Sequence, residues 1–189
     1  MGKKVLMLLA EGFEEVEAVT PVDYLRRAGV DVTIAAIGTE KTVTGARGIK
    51  LTADTVLADL ENKGQFAAVS WDAVFVPGGL PGASNLAACI PAGNLFKEMA
   101  AAGKIIAAIC ASPVVFLAPL GLLEGKQFTC YPGMENKQSG GIWVEDKAVI
   151  DGNLITSRAA GTAVDFSLAL IECLVGKDAV NTLVKAALL

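Results

Sequence analysis

From Val5 to Ala10 the chain is apolar at every position, following Lys3 and Lys4 and preceding Glu11. A strand with no polar face has to be covered on both sides, as in parallel sheets flanked by helices. Asp72 to Val76 and Ile105 to Ile109 read the same way. Between and after these runs the pattern turns helical. Glu14 to Ala28 carries Val16, Val19, Val22 and Leu25 at three-residue spacing and is closed by Gly29. Pro21 lies inside that segment, which predicts a kink or a restart at Thr20. Asp31 to Ile37 is the next strand, and short strand-like pieces occupy Thr42 to Ala53. Helices are expected over Gly93 to Ala102, Val114 to Leu123, Ala163 to Leu174 and Asp178 to Ala187. Trp143 to Ile150, the turn Asp151-Gly152-Asn153, and Leu154 to Ser157 read as a hairpin. Alternating buried strands and helices predict an α/β fold: a mostly parallel sheet with helices on both faces and a site at the carboxyl ends of the strands.

A length of 189 residues fits one domain over the whole of 1–189, and 53% hydrophobic with 19% charged residues describes a core-rich globule. A net charge of −4 supplies no electrostatic reason to bind nucleic acid or an anionic membrane. Residues Ile105 to Leu123 carry no charge, but Pro113, Pro119 and Gly121 interrupt them, so a buried strand plus helix is expected rather than a membrane span. The apolar stretch after Lys4 is too short for a secretory signal. Cys89, Cys110, Cys130 and Cys173 show neither metal-ligand spacing nor a Cys-x-x-Cys pair, which points to reduced thiols in a cytoplasmic protein with no metal site.

The chain has no histidine. That removes Cys-His and Ser-His-Asp catalysis and every histidine-based metal site. The chemistry then centres on Cys110, at the end of the run Ile105 to Ile109 and just before Ser112 and Pro113, a helix start. A helix dipole behind the thiol favours thiolate; the plainer alternative is a small buried hydrophobe. In the acidic turn Glu11 to Glu17, four carboxylates suit a solvated loop, yet Glu17 can lean over the strand ends. Beside a thiolate its pKa rises, and once protonated it can donate a hydrogen bond and then act as acid or base. Gly78 and Gly79 either bring backbone N–H groups close to a ligand or simply turn the chain. They match neither G-x-G-x-x-G nor a P-loop. Cys130 is expected in core packing, with a resolving thiol as the alternative, and Cys89 and Cys173 in apolar helical surroundings.

Several stretches in register resemble the ThiJ/PfpI superfamily, closest to the branch of the parkinsonism-associated deglycase-like protein. They are Glu14 to Glu17, Pro21 to Gly29, Val76 to Gly79, Ala107 to Ala111, and Thr156 to Arg158 with Gly161 and Thr162. The resemblance implies a flavodoxin-like sandwich, a homodimer and no cofactor. It places the nucleophile at Cys110, its partner carboxylate at Glu17, and backbone donors at Gly78 and Gly79. The activity implied is glutathione-independent conversion of methylglyoxal or related 2-oxoaldehydes to 2-hydroxy acids, or release of glycation adducts. Ala111 would add an oxyanion donor. A redox sensor or stress chaperone acting through oxidation of Cys110 is the alternative, and a binding module with an inert cysteine the blandest.

Two departures from the pattern stand out. The protease-like branch has histidine directly after the cysteine, where this chain has Ala111, so peptidase activity is disfavoured. Where the closest branch places a histidine near the thiol, this chain has Tyr131, in Cys130-Tyr131-Pro132. Tyrosine can donate a hydrogen bond to orient substrate but is a poor base at neutral pH, so proton transfer falls to Glu17. The usual Gly-Pro after the Ser-Arg pair is Ala159-Ala160, which reshapes the pocket rim.

Overall fold

The computed structural model describes residues 2–135 and 140–189. Its centre is a seven-stranded sheet in the order β10-β11-β7-β6-β1-β2-β5. These strands are β1 (Lys4–Leu9), β2 (Asp31–Ala36), β5 (Thr55–Val56), β6 (Ala73–Val76), β7 (Ile105–Ile109), β10 (Ala148–Asp151) and β11 (Leu154–Ser157). All neighbours run parallel except β10, which pairs with β11 as an antiparallel hairpin. Two small ribbons lie outside the sheet: β3 (Thr42–Thr44) with β4 (Lys50–Thr52), and β8 (Gln127–Phe128) with β9 (Ile142–Trp143).

The unbroken apolar run of β1 has the expected consequence. Val5, Met7 and Leu9 enter one core and Leu6 and Leu8 the other, because successive side chains of a strand point to opposite faces. Helices α1 (Glu15–Arg27) and α5 (Ala163–Leu174) cover the first face, where Phe75 meets Phe166 edge-on with ring centroids 6.1 Å apart. The other face is covered by α3 (Gly82–Ala88) and α4 (Ile90–Ala101) together with the segment after β7, where Phe96 meets Phe116 at 4.8 Å. Helices α2 (Leu57–Asn62) and α6 (Lys177–Ala187) complete the two layers.

Four local features differ from the sequence reading. Pro21 sits inside a continuous α1, in a helix that needs no restart at Thr20. α2 and α3 were not expected, and α4 begins at Ile90 rather than Gly93. The helix expected over Val114 to Leu123 is instead one π-helical turn, Pro113–Leu117, followed by a 3-10 turn, Ala118–Leu120. Pro113, Pro119 and Gly121 explain this: each proline removes a backbone donor, and Gly121 takes a left-handed φ of 76° that ends the segment. Cys173 is exposed rather than packed. Among the described residues, no helix is long and apolar enough to cross a membrane.

Candidate active site

Three strand ends meet at the carboxyl edge of the sheet. β7 delivers Cys110, β6 delivers the Pro77-Gly78-Gly79 loop, and β11 delivers the loop from Arg158 to Thr162. The head of α1 closes over them from the first face.

Cys110 has φ +66°, the left-handed region that residues with a Cβ enter rarely and at a cost of about 1–3 kcal/mol. The backbone on both sides holds it there. Its N–H donates to Ser157 O at 3.0 Å, and its carbonyl accepts from the Tyr131 N–H at 2.8 Å. Ser112, expected at a helix start, does not cap one; its hydroxyl donates instead to Pro77 O at 2.6 Å, tying the exits of β6 and β7 together.

Glu17 arrives from α1. The side chain of Glu14 caps the helix by accepting from the Glu17 N–H at 2.8 Å. Two reciprocal bonds fasten the helix to the β6 loop: the Glu14 N–H donates to Gly78 O at 2.9 Å, and the Gly78 N–H donates to Glu17 Oε2 at 2.8 Å. Only glycine fits at 78. A Cβ there would lie 2.5 Å from Cys110 Cβ and 2.6 Å from Glu17 Oε2. The Gly78 donor is therefore engaged by the carboxylate. Gly79, at φ +89°, turns its N–H to the Cys110 sulfur, as does Ala111.

Glu17 is only 1% exposed. Burial pushes its carboxyl up from the ordinary glutamate range to about 7, and the charge of Glu14 adds to this; hydrogen bonds from Cys110, Gly78 and Ala160 oppose it. Burial likewise pushes the Cys110 thiol up, to about 12, with the Glu17 carboxylate raising it further and the Gly79 and Ala111 N–H groups pulling it down. Burial and the Glu17 carboxylate thus work against the thiolate that a helix dipole favours, and the segment after the thiol is a single π turn rather than a long helix. With Glu17 ionised, the thiol holds its proton and donates it to the carboxylate. Moving that proton to Glu17 removes the repulsion and leaves a thiolate facing three donors. The two groups share one proton, so they act as a unit.

The pair opens into a cleft of about 550 Å³, whose lining includes Arg47, Leu80, Tyr131 and Met134. Arg47 comes from the β3–β4 hairpin, which the buried Glu15 holds by accepting from the Arg47 N–H at 2.7 Å. Tyr131 is 49% exposed at the rim. Cys130 lies apart: it belongs to the core on the second face, whereas Cys110 packs against the core on the first. All six candidate residues, Cys110, Glu17, Gly78, Gly79, Ala111 and Tyr131, are thus brought to one place, five of them lining the cleft and Gly78 bonded to one that does. The sequence reading missed Glu14 as the cap, although it was legible as an acidic residue three positions before Glu17.

A flavodoxin-like sheet with a left-handed cysteine at a strand end, hydrogen-bonded to a buried glutamate, defines a class of cysteine–carboxylate proteins. Within it, this chain belongs to the DJ-1/PfpI family, whose pattern matches residues 3–173. It is 42% identical over 185 residues to protein DJ-1 homolog A of Arabidopsis thaliana, covering 98% of this chain and 46% of that one. The chain thus spans under half the length of that relative. It is 37% identical over 186 residues to the glutathione-independent glyoxalase DJR-1.2 of Caenorhabditis elegans, covering 97% and 95% of the two chains. The structure of oxidized Toxoplasma gondii DJ-1 superimposes with a TM-score of 0.92 at 34% identity, over 99% of this chain and 98% of that one.

Proposed function

We propose that this protein is a cysteine-dependent, glutathione-independent enzyme that converts methylglyoxal or a related 2-oxoaldehyde to the 2-hydroxy acid. The observation that carries this reading is the Cys110–Glu17 pair facing an open cleft, the buried carboxylate set beside the thiol. The glyoxalase named among its relatives supports it.

Glu17 carboxylate takes the Cys110 proton as sulfur bonds to the aldehyde carbon. The oxyanion forms near the Gly79 and Ala111 N–H groups and recovers the proton from Glu17, giving a hemithioacetal. Glu17 then removes the hydrogen from that carbon while the neighbouring carbonyl oxygen gains a proton, which yields an enediol. Return of the proton to the second carbon, with loss of the first hydroxyl proton, leaves a thioester of the 2-hydroxy acid. Water cleaves it, releasing the acid and restoring the thiol, so the net change is addition of one water. Tyr131 orients the substrate from the rim. No cofactor or metal enters any step.

Lactate formation from methylglyoxal without glutathione tests this, comparing the parent with Cys110→Ser and Glu17→Gln. Turnover falls at least about a hundredfold in both. A parent rate no higher than Cys110→Ser removes the enzyme reading for this substrate and leaves the redox alternative. There, peroxide oxidises Cys110 to the sulfinate, which protonated Glu17 and the Gly79 and Ala111 donors would hold. The oxidized state of the Toxoplasma gondii relative favours keeping this second reading.

The working assembly is a homodimer. Val16 and Val19, each 47% exposed on α1, and Ile49, 62% exposed on the hairpin that Glu15 anchors to α1, offer an apolar face for it. Light scattering at micromolar concentration should return twice the 19.5 kDa chain mass; a single chain mass removes the dimer.

A further inference from the structure

The peptide unit between Pro77 and Gly78, just beyond β6, is held at both polar ends. Its carbonyl, Pro77 O, accepts from the Ser112 hydroxyl at 2.6 Å. Its N–H, on Gly78, donates to Glu17 Oε2 at 2.8 Å. A trans peptide group is planar, with the carbonyl and the N–H pointing opposite ways, so fixing the oxygen fixes the direction of the donor. The next carbonyl, Gly78 O, accepts from the Glu14 N–H at 2.9 Å. Residue 78 is therefore clamped between the head of α1 and the turn after β7. The same clamp brings the reactive groups together, since a Cβ at 78 would meet both Cys110 Cβ and Glu17 Oε2 within 2.6 Å.

Ser112 is fully buried and lies two residues beyond Cys110. Its backbone is helical, φ −65° and ψ −33°, a setting in which serine hydroxyls commonly bond a carbonyl of their own segment. This one reaches instead to a carbonyl 35 residues earlier in the chain. The effect goes beyond orientation. Donation to a carbonyl raises the double-bond character of its C–N bond and makes the attached N–H a stronger donor, so hydroxyl, peptide and carboxylate form a cooperative chain. The turn Cys110-Ala111-Ser112 thus carries both the nucleophile and the group that aims a donor at its partner carboxylate.

We propose that Ser112 is a positioning residue of the Cys110–Glu17 pair: its hydroxyl orients and strengthens the Gly78 N–H that holds the Glu17 carboxylate, and so biases which of the two groups keeps the proton they share. This rests on the reading of those two residues as the reactive pair. A strong donor to Glu17 stabilises the carboxylate and favours ionised Glu17 with a neutral thiol. When the donor weakens, protonated Glu17 with a thiolate gains. Ser112 therefore restrains the thiol and keeps Glu17 available as a base.

Among the described residues, the other titratable groups that line the cleft with the pair are Glu14 at the head of α1, Arg47 from the β3–β4 hairpin and Tyr131 from the loop after β8. Glu15, also on α1, is turned to the hairpin, where it accepts from the Arg47 N–H. Changing residue 112 leaves all of these side chains in place.

The test is the pH dependence of Cys110 alkylation by iodoacetamide, read by mass spectrometry at that residue in the full chain. Ser112→Ala removes the hydroxyl and suits the helical backbone; Ser112→Gly removes it in a second way. At pH values where Glu17 is protonated in both proteins, variant and parent rates should coincide. At higher pH, where the parent rate levels off, both variants should level off roughly twofold to fivefold higher, with the midpoint displaced upward by the same factor. In a Glu17→Gln background, where residue 17 has no proton to exchange, Ser112→Ala should leave the rate unchanged at every pH.

A plateau at or below that of the parent would overturn the proposal. So would a uniform change at all pH values that persists in the Glu17→Gln background, which would give Ser112 a purely structural role. Because alkylation needs no aldehyde, a failed methylglyoxal assay leaves this test decisive.

Discussion

Cys110 and Cys130 are both free thiols held above their ordinary range by burial, and they differ in everything that would let burial be useful. Cys130 is fully buried, with Glu135 raising it further, Arg158 opposing, and its thiol near the Tyr131 carbonyl at 3.5 Å. Burial pushes it up to about 11, and the Glu135 carboxylate acts on it through its charge alone, with no hydrogen bond to the sulfur along which a proton could cross. Cys110 is pushed up further, to about 12, by burial first and then by Glu17, a neighbour that can itself accept the proton. A raised thiol pKa therefore does not by itself mean an inert cysteine. What matters is whether the cause is removable: apolar surroundings are permanent, while a titrating carboxylate is not.

The largest effect that could break this comparison is reagent selectivity. One equivalent of iodoacetamide or peroxide at neutral pH should modify Cys110 on the order of a hundredfold faster than Cys130, read by peptide mass spectrometry, because Cys130 reacts only through local opening. Comparable rates at the two positions would mean that the carboxylate does not distinguish them.

A smaller effect sharpens the role of Glu17. Its folded-state pKa, about 7, lies above the ordinary glutamate value, so the native state binds a proton more tightly than the unfolded chain. The stabilisation is complete below the unfolded value and is lost as pH rises through about 7. Glu17→Gln should remove this dependence, leaving a variant whose stability relative to the parent improves by about 3 kcal/mol between acid and pH 8.5. Urea denaturation of both proteins across that interval measures it; parallel curves would show that Glu17 ionises as freely as an exposed glutamate.

Much of this arrangement could be read before folding. β7 spans Ile105–Ile109 as its apolar run required, α5 spans Ala163–Leu174, and the Gly152-Asn153 turn joins β10 to β11. These elements depend on local pattern: strands buried on both faces, an amphipathic helix, a two-residue turn. The α/β order then placed Cys110, Gly78 and Glu17 at one edge of the sheet. The same local logic failed after Cys110, where helix-compatible residues are overridden by two prolines and the left-handed Gly121, and at α3, whose Gly82–Ala88 sequence has small side chains and little periodicity.

The sequence by itself determined that the chain carries a cysteine at a strand end, an acidic turn, paired glycines and no imidazole, because composition and short-range pattern suffice for those. The tertiary structure decided how they interact. Cys110 is held at φ +66° by a carbonyl from β11 and an N–H from Tyr131; the Gly78 N–H goes to Glu17 while the Gly79 N–H goes to sulfur. Each of these bonds joins segments that are far apart along the chain. Hydrogen-bond direction and desolvation depend on ångström-scale placement across those segments, and no local pattern encodes them.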